Sequence, residues 1–355
     1  MPFNPQFMSV SKTPCALLIN DIHVSKDNIA EFHTNWDEAI KICKEHNIPD
    51  IIVGGDLWQS RSAQTLGTLL AVRQAIIKAT NSGIDVTLAE GNHDKVDQES
   101  VLGYSHIFSE YPHVYIVDDY TALEYGNNLV LYVMSYFPED GSFIKRLNDI
   151  LENDFDRNKT NVLYIHEGIN GALATANDKE LPSKIFRDFN AVLVGHYHNR
   201  CKIKGTCIEY IGSSRQHNFG EDEDKGYTIL YSDGSYEFVK NQANIRYKVV
   251  DLVLSQVNIT LLDQLTELKE SGMYKVKARI NCDSTEVSGI DKQKLIEAGA
   301  TKVEIVTERI EMNVIESHSL DQKFDKNGIK KEYSNFCEGK EIPAEMGLKY
   351  LDKIN

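Results

Sequence analysis

Short apolar runs alternate with helical patterns along the first two-thirds of this 355-residue chain. The runs "ALLIN" (16–20), "DIIVGG" (50–55), "DVTLAE" (85–90), "NVLYIH" (161–166) and "AVLVG" (191–195) predict buried β-strands. Between the first two, Ile29, Phe32, Trp36, Ile40 and Cys43 recur at three- and four-residue spacing and predict a helix. Leu66, Leu69, Leu70, Ile76 and Ile77 predict a second helix with a wide apolar stripe. This alternation implies α/β layering around a largely central sheet. Further on, "CIEYIGSS", "GYTILYSDG" and "SYEFVK" are closely spaced and separated by turn residues, and they predict antiparallel strands.

Around residue 246 the pattern changes. "YKVVDLVL", "NITLLDQLTELKESG", "YKVKARINC", "IDKQKLIEAG" and "KVEIVTE" predict strand, helix, strand, helix and strand. The chain therefore divides into a first domain over 1–245, a compact second α/β unit over 246–312, and a charged, weakly periodic segment over 313–355. That last segment reads as either a solvated tail or a docking segment for a partner. No internal repeat is present.

Composition adds bounds. With 41% hydrophobic and 26% charged residues, the chain is expected to be globular. No apolar run approaches the roughly 18 residues that span a bilayer, and "MPFNPQFMSVSKTP" lacks the basic and apolar regions of a secretion signal. The six cysteines are scattered without a CxxC pair, so the expectation is reduced thiols, a cytoplasmic location and no membrane. The net charge of −15 disfavours a protein that simply coats DNA. It leaves room for an enzyme that grips DNA locally, through bound cations or a partner subunit.

The strand ends carry the chemistry. The five runs lead into "NDIH" (Asp21, His23), "GGDLW" (Asp56), "GNHD" (Asn92, His93, Asp94), "IHEG" (His166) and "GHYH" (His196, His198). In an α/β sheet, ligands bind outside the carboxyl ends of strands. Any one of these motifs alone is an ordinary turn, cap or loop residue; all five, in order and always at a strand end, form a set. Carboxylate, imidazole and amide oxygen suit divalent cations such as Mn²⁺, Fe²⁺ or Zn²⁺, and the lack of cysteine argues against a closed structural zinc site. Seven donors are too many for one open metal site and suit two ions sharing a bridge. Two such ions about 3.5–4 Å apart act on the attacking and leaving oxygens at phosphorus and lower the pKa of a bridging water. The chemistry expected is metal-dependent phosphoester hydrolysis.

This ordered set resembles the calcineurin-like metallophosphoesterase superfamily, over roughly residues 14–235. The resemblance implies a four-layer α/β/β/α sandwich. It places Asp21, His23, Asp56 and His198 on one metal and Asp56, Asn92, His166 and His196 on the other, so that His196 and His198 serve different ions. His93 matches the family's histidine that orients phosphate or protonates the leaving oxygen, and Asp94 would hold that imidazole. "EYIGSSRQHNFGEDEDKGYTIL" (209–230), "GGDLWQSRSAQ" and the small α/β unit that follows resemble the DNA double-strand-break repair nucleases, SbcD-like and T-even phage-like. That likeness implies Mn²⁺-dependent 3′→5′ exonuclease and endonuclease activity, with Mg²⁺, Fe²⁺ or Zn²⁺ as other candidates. It also implies a capping domain that contacts DNA, a homodimer, and an SbcC-like coiled-coil ATPase docked on 313–355. Arg61, Lys95 and Arg215 are candidate local DNA contacts. His33, His46, His106, His113, His217 and His318 match no ligand position and read as ordinary surface or core residues. Two rivals remain: a phosphodiesterase for nucleotides or another small phosphoester, and a non-catalytic scaffold, which the intact ligand set disfavours.

Overall fold

The computed structural model of the protein describes residues 12–173, 179–253 and 259–307, with a few positions between 330 and 349. Fifteen strands and five α-helices are described. The first region holds β1 (Pro14–Ile19), α1 (Ile29–His46), β2 (Asp50–Gly54), α2 (Leu66–Thr80), β3 (Asp85–Ala89), β4 (Val114–Val117), β5 (Tyr120–Tyr125) and β6 (Leu129–Met134). It continues through α3 (Phe143–Asp149), β7 (Thr160–His166), β8 (Ala191–Gly195), β9 (Cys201–Lys202), β10 (Ile208–Tyr210), β11 (Gly226–Tyr231) and β12 (Tyr236–Lys240). The small unit follows with β13 (Arg246–Val253), α4 (Ile259–Glu270), β14 (Tyr274–Cys282), α5 (Lys292–Ala298) and β15 (Lys302–Thr307).

Two six-stranded sheets, not one central sheet, carry the first region, in the orders β12-β11-β1-β2-β3-β4 and β5-β6-β7-β8-β10-β9. Alternate residues of each strand explain the stacking, because successive side chains point to opposite faces. In β1, Leu17 and Ile19 face the core under α1 and α2, whereas Ala16 and Leu18 face the second sheet. In β6, β7 and β8, Leu131, Tyr164 and Leu193 meet them from the other side, while Tyr132, Leu163 and Val192 turn outward onto the layer holding Phe143 and Leu147 of α3. Three stacked apolar cores therefore separate four layers, helix on sheet on sheet on helix. Burial on both faces is why the parallel strands read as unbroken apolar runs.

The strands expected to be antiparallel divide between the sheets. β11 and β12 pair antiparallel in the first sheet, whereas β10 lies in the second, antiparallel to β9 and parallel to β8. The first helix buries the expected Phe32, Trp36, Ile40 and Cys43. The second instead buries Ala71, Val72, Ala75, Ile76 and Ala79, leaving Leu66 and Leu70 exposed. The Thr65 hydroxyl caps it by accepting from the Thr68 amide, a contact worth about 1 kcal/mol.

β13, β14 and β15 form a third sheet, with β13 and β14 parallel. Strict alternation in β14 sends Val276, Ala278, Ile280 and Cys282 into a separate core with Leu261, Leu265 and Leu295 of α4 and α5. By compactness the chain divides into residues 1–282 with 288–306, and residues 283–287 with 307–355. The expected docking segment, 313–355, falls largely outside the described residues. Among the described residues, no helix is long and apolar enough to cross a membrane.

Candidate metal centre

The loops that leave β1, β2, β3, β7 and β8 converge on one cluster. A short ladder of main-chain bonds locks the first two together: the amides of Ile22 and His23 both donate to the Asp56 carbonyl, at 2.9 and 3.0 Å, and Asp21 donates to Gly55. These loops bend sharply. Of the six non-glycine residues with positive φ among the described residues, four are Asp21 (51°), His23 (50°), Asp56 (51°) and His196 (89°). Left-handed backbone outside glycine is uncommon, and such strain collects at functional sites. The third loop closes on Asp56 through Gly91, where a Cβ would lie 2.3 Å from the Asp56 amide and carboxylate, so only glycine fits.

Asp21, His23, Asp56, Asn92 and His166 are all buried, and His93, His196 and His198 are partly open to solvent. Three overlapping groups bring donor atoms within 4.8 Å of one another: Asp21–His23–His198, His23–Asp56–His93 and Asp21–Asp56–His166. His198 Nε2 lies 3.2 Å from His23 Nε2 and 3.9 Å from Asp21 Oδ1. His196 turns the other way: its Nδ1 is 3.2 Å from Asn92 Oδ1 and its ring centroid 5.5 Å from that of His166.

The donor set fits cations. His166 Nδ1 donates to the Gly54 carbonyl at 3.2 Å, which leaves the buried Nε2 for the site. That nitrogen faces Asp56 Oδ2 at 3.3 Å and Asp21 Oδ1 at 3.8 Å. Three electron-pair donors pointing at one another need a positive charge between them, from a proton or a metal. Without metal the proton is favoured: burial would keep His166 neutral, but Asp56 and Asp21 push its pKa up to about 9. Burial would raise the Asp56 carboxyl, yet His166 and His23 hold it well below the usual carboxylate range. Burial pushes His23 and His196 down to about 4, leaving both neutral and able to ligate.

Several roles expected from the sequence are corrected. Asp94 does not hold the His93 imidazole. Its carboxylate turns inward and accepts the amides of Gly91 (2.6 Å), Trp58 (2.8 Å) and Leu57 (3.3 Å), tying the Asp56 loop to the Asn92 loop. His93 Nδ1 instead meets the Gln59 carbonyl. Lys95 is sealed inside, its Nζ donating to the Tyr136 carbonyl and lying over the Phe137 ring, so it presents no charge to DNA. Arg215 is likewise buried and donates to the Ile22 carbonyl, bracing the Asp21–His23 turn from behind. Only Arg61 of the three is exposed.

Sequence reasoning also passes over residues that touch the site. His217 is not an ordinary histidine: its Nε2 is 2.8 Å from the Asp21 carbonyl oxygen, and its ring packs on those of His23 and His198. Glu221 Oε1 lies 2.8 Å from His198 Nδ1, and Asn20 donates to both the Asp21 carboxylate and the Gly212 carbonyl. The acidic run "GEDEDKG" was the available signal for Glu221, but nothing local shows which acid turns inward.

The sequence profile described as calcineurin-like phosphoesterase matches residues 16–200. Among curated proteins, the chain is 29% identical over 261 residues to the putative phosphoesterase 244L of Invertebrate iridescent virus 6, covering 70% of this chain and 88% of that one. It is 30% identical over 219 residues to the D component of the SbcCD nuclease of Staphylococcus epidermidis, covering 52% and 56%. The Staphylococcus saprophyticus counterpart is 24% identical over 220 residues, covering 55% and 58%. The chain thus spans little more than half the length of these two nucleases. Among solved structures, the nuclease MPE of Pseudomonas putida is 16% identical with a TM-score of 0.27, covering 61% of this chain and 84% of that one. A dimetal phosphatase of Danio rerio is 9% identical with a TM-score of 0.40, covering 61% and 91%. At such scores these two add nothing to the architecture described above.

Proposed function

Because the chain belongs to the calcineurin-like phosphoesterase family and is a metal-dependent phosphodiester hydrolase, we propose that it is a DNA nuclease subunit of the SbcD kind. The observation that carries the metal part is the buried Nε2 of His166, aimed at the carboxylates of Asp56 at 3.3 Å and Asp21 at 3.8 Å. Asp21, His23, Asp56 and His198 would hold one divalent ion, and Asp56, Asn92, His166 and His196 the other. The separation of His198, beside His23, from His196, beside Asn92, supports that division. Two bound ions would supply Lewis acidity toward the phosphodiester and lower the pKa of the attacking water. Mn²⁺ suits the mixture of imidazole, carboxylate and amide oxygen.

The protein's own groups do the rest. With Nδ1 committed to the Gln59 carbonyl, His93 keeps Nε2 for substrate, where it orients a phosphate oxygen and, when protonated, passes a proton to the leaving oxygen. The DNA part rests on the named nuclease relatives and on the small α/β unit of residues 246–306, whose first strand is fastened to the loop beside the site. That unit would serve as the capping domain, with Arg61 as a phosphate contact. An SbcC-like coiled-coil ATPase would dock on the C-terminal segment of each protomer of a nuclease dimer in the cytoplasm and add the basic surface this acidic chain lacks.

The test is digestion of linear duplex DNA, end-labelled to read polarity, with Mn²⁺, Mg²⁺ or chelator, with and without a co-expressed SbcC-like ATPase. Mn²⁺-dependent shortening from 3′ ends, stopped by chelator, is expected, with nuclease and ATPase purifying together. The second reading, a small-phosphoester phosphodiesterase, is favoured by the viral relative that matches most of the chain and is named only as a putative phosphoesterase. Hydrolysis of cyclic nucleotides without cleavage of DNA would establish that reading instead.

A further inference from the structure

One loop touches the metal centre and the small unit at once. After Gly212 the chain runs through Gln216, His217 and Glu221 before entering β11. The buried Glu221 carboxylate meets His198 Nδ1 at 2.8 Å, and its other oxygen accepts the His217 amide at 3.1 Å. Since Nδ1–H donates there, Nε2 of His198 is left as the electron pair facing His23 and Asp21. Behind Glu221, the buried Gln216 spends its whole side-chain amide on two main-chain segments. Its Nε2 donates to the Glu221 carbonyl (2.9 Å) and the Tyr247 carbonyl (3.1 Å), and its Oε1 accepts the Tyr247 amide (2.8 Å). Tyr247 lies in β13, and its ring packs edge-on against Phe219 of the same loop.

We propose that Glu221 is a positioning residue for His198 and that Gln216 ties it to β13, so that the seating of the small unit sets the affinity of one of the two metal positions. The proposal rests on the two-metal reading above but not on DNA as substrate. The Glu221 carboxylate also accepts from Asn218 Nδ2 of its own loop at 2.8 Å, and a loop that only braced the fold would act on the stability of the whole site. It would have no selective effect on one ion. The Lys225 ammonium steadies the same corner from below, donating to the His198 carbonyl at 2.7 Å.

The experiment is a Mn²⁺ titration of the full chain by calorimetry, with electron paramagnetic resonance of free Mn²⁺ as a second count of occupied sites. Glu221→Ala is expected to weaken one of the two sites by about 10- to 100-fold and to leave the other within about twofold. Glu221→Gln recovers most of that loss, because its amide oxygen still accepts Nδ1–H. Gln216→Ala, which touches neither ion, weakens the same site by roughly three- to tenfold. Should Glu221→Ala fail to fold by circular dichroism, Glu221→Asp, one methylene too short to reach His198, carries the same expectation. Equal loss at both sites, unchanged titrations, or no recovery in Glu221→Gln overturns the role of Glu221. A wild-type titration in Gln216→Ala overturns the link to β13. Two-site binding with no cleavage of DNA would sink the nuclease reading while leaving this inference standing; a wild-type chain that binds a single ion sinks both.

Discussion

Nδ1 of His93 lies 2.8 Å from the carbonyl oxygen of Gln59, so the chain's own backbone orients this imidazole. The adjacent Asp94 carboxylate points away and closes a buried turn. The two neighbours should therefore fail differently. His93→Ala is expected to keep both metals and lose about 10²–10⁴ in turnover of a chromogenic phosphodiester. Asp94→Ala strips the acceptor from three amides and should cost about 2–4 kcal/mol in urea unfolding. An Asp94→Ala protein as stable as wild type but inactive would return Asp94 to the role of partner to His93.

Asp56 touches three members of the cluster closely: His23 at 3.5 Å, His166 at 3.3 Å, and the His93 amide at 2.8 Å. Metal that binds only the folded chain raises its stability by about 2.7 kcal/mol at a hundredfold excess over the dissociation constant. Chelator should lower the melting temperature of the wild type and leave that of Asp56→Ala unmoved. A variant whose melting still responds to Mn²⁺ would show that the ions bind without this carboxylate.

Gly91→Ala puts a methyl group where Asp56 needs to be. The Asp56 carboxylate or the Asn92 loop must shift, so metal affinity should fall about tenfold or more, with the sandwich retained. Circular dichroism together with a Mn²⁺ titration separates the two effects. Unchanged affinity would mean the loop relaxes without cost to the site.

The buried Lys95 gives a pH signature. Burial lowers its pKa to about 8 from the 10.5 of a free lysine, with Glu90 only partly opposing that. Between these values the unfolded chain holds the proton more often than the folded one. The stability that Lys95 contributes therefore rises with pH from 8 to 10.5 and is lost as pH falls through 8. Relative to Lys95→Met, the wild type should gain about 1–3 kcal/mol across that window in denaturant unfolding. A difference that is flat with pH would place the ammonium in contact with water.

How much of this could be read in advance depended on burial. β1, β2, β3, β7 and β8 are covered on both faces, and their unbroken apolar runs declare them. β4 and β5 lie at sheet edges, with exposed positions such as Tyr115, and are easily missed. β6 is as apolar as its neighbours, but the four residues after it, Ser135 to Pro138, include no aspartate, asparagine or histidine, and a search keyed to strand ends passes it by. In α2 the periodicity marks the helix without saying which part of a wide stripe faces inward; its N-terminal Leu66 overhangs the core. The seven candidate ligands could be proposed from sequence because each lies at a strand end or follows closely on one. Glu221, Gln216 and the Gln59 carbonyl could not, since their partners lie 23, 31 and 34 residues away and only the completed fold brings them together.

The left-handed turns at Asp21, His23, Asp56 and His196 narrow what evolution or an engineer can exchange there. Aspartate, asparagine and histidine are the side chains that best tolerate this backbone region, and they are also donors to hard and borderline cations. Glutamate and cysteine could offer an oxygen or a sulfur but gain nothing from that tolerance. At these four positions the alphabet of acceptable residues is thus set twice, once by coordination chemistry and once by φ. Retuning this centre toward a softer ion by swapping in thiolates would have to begin with the backbone of the loops.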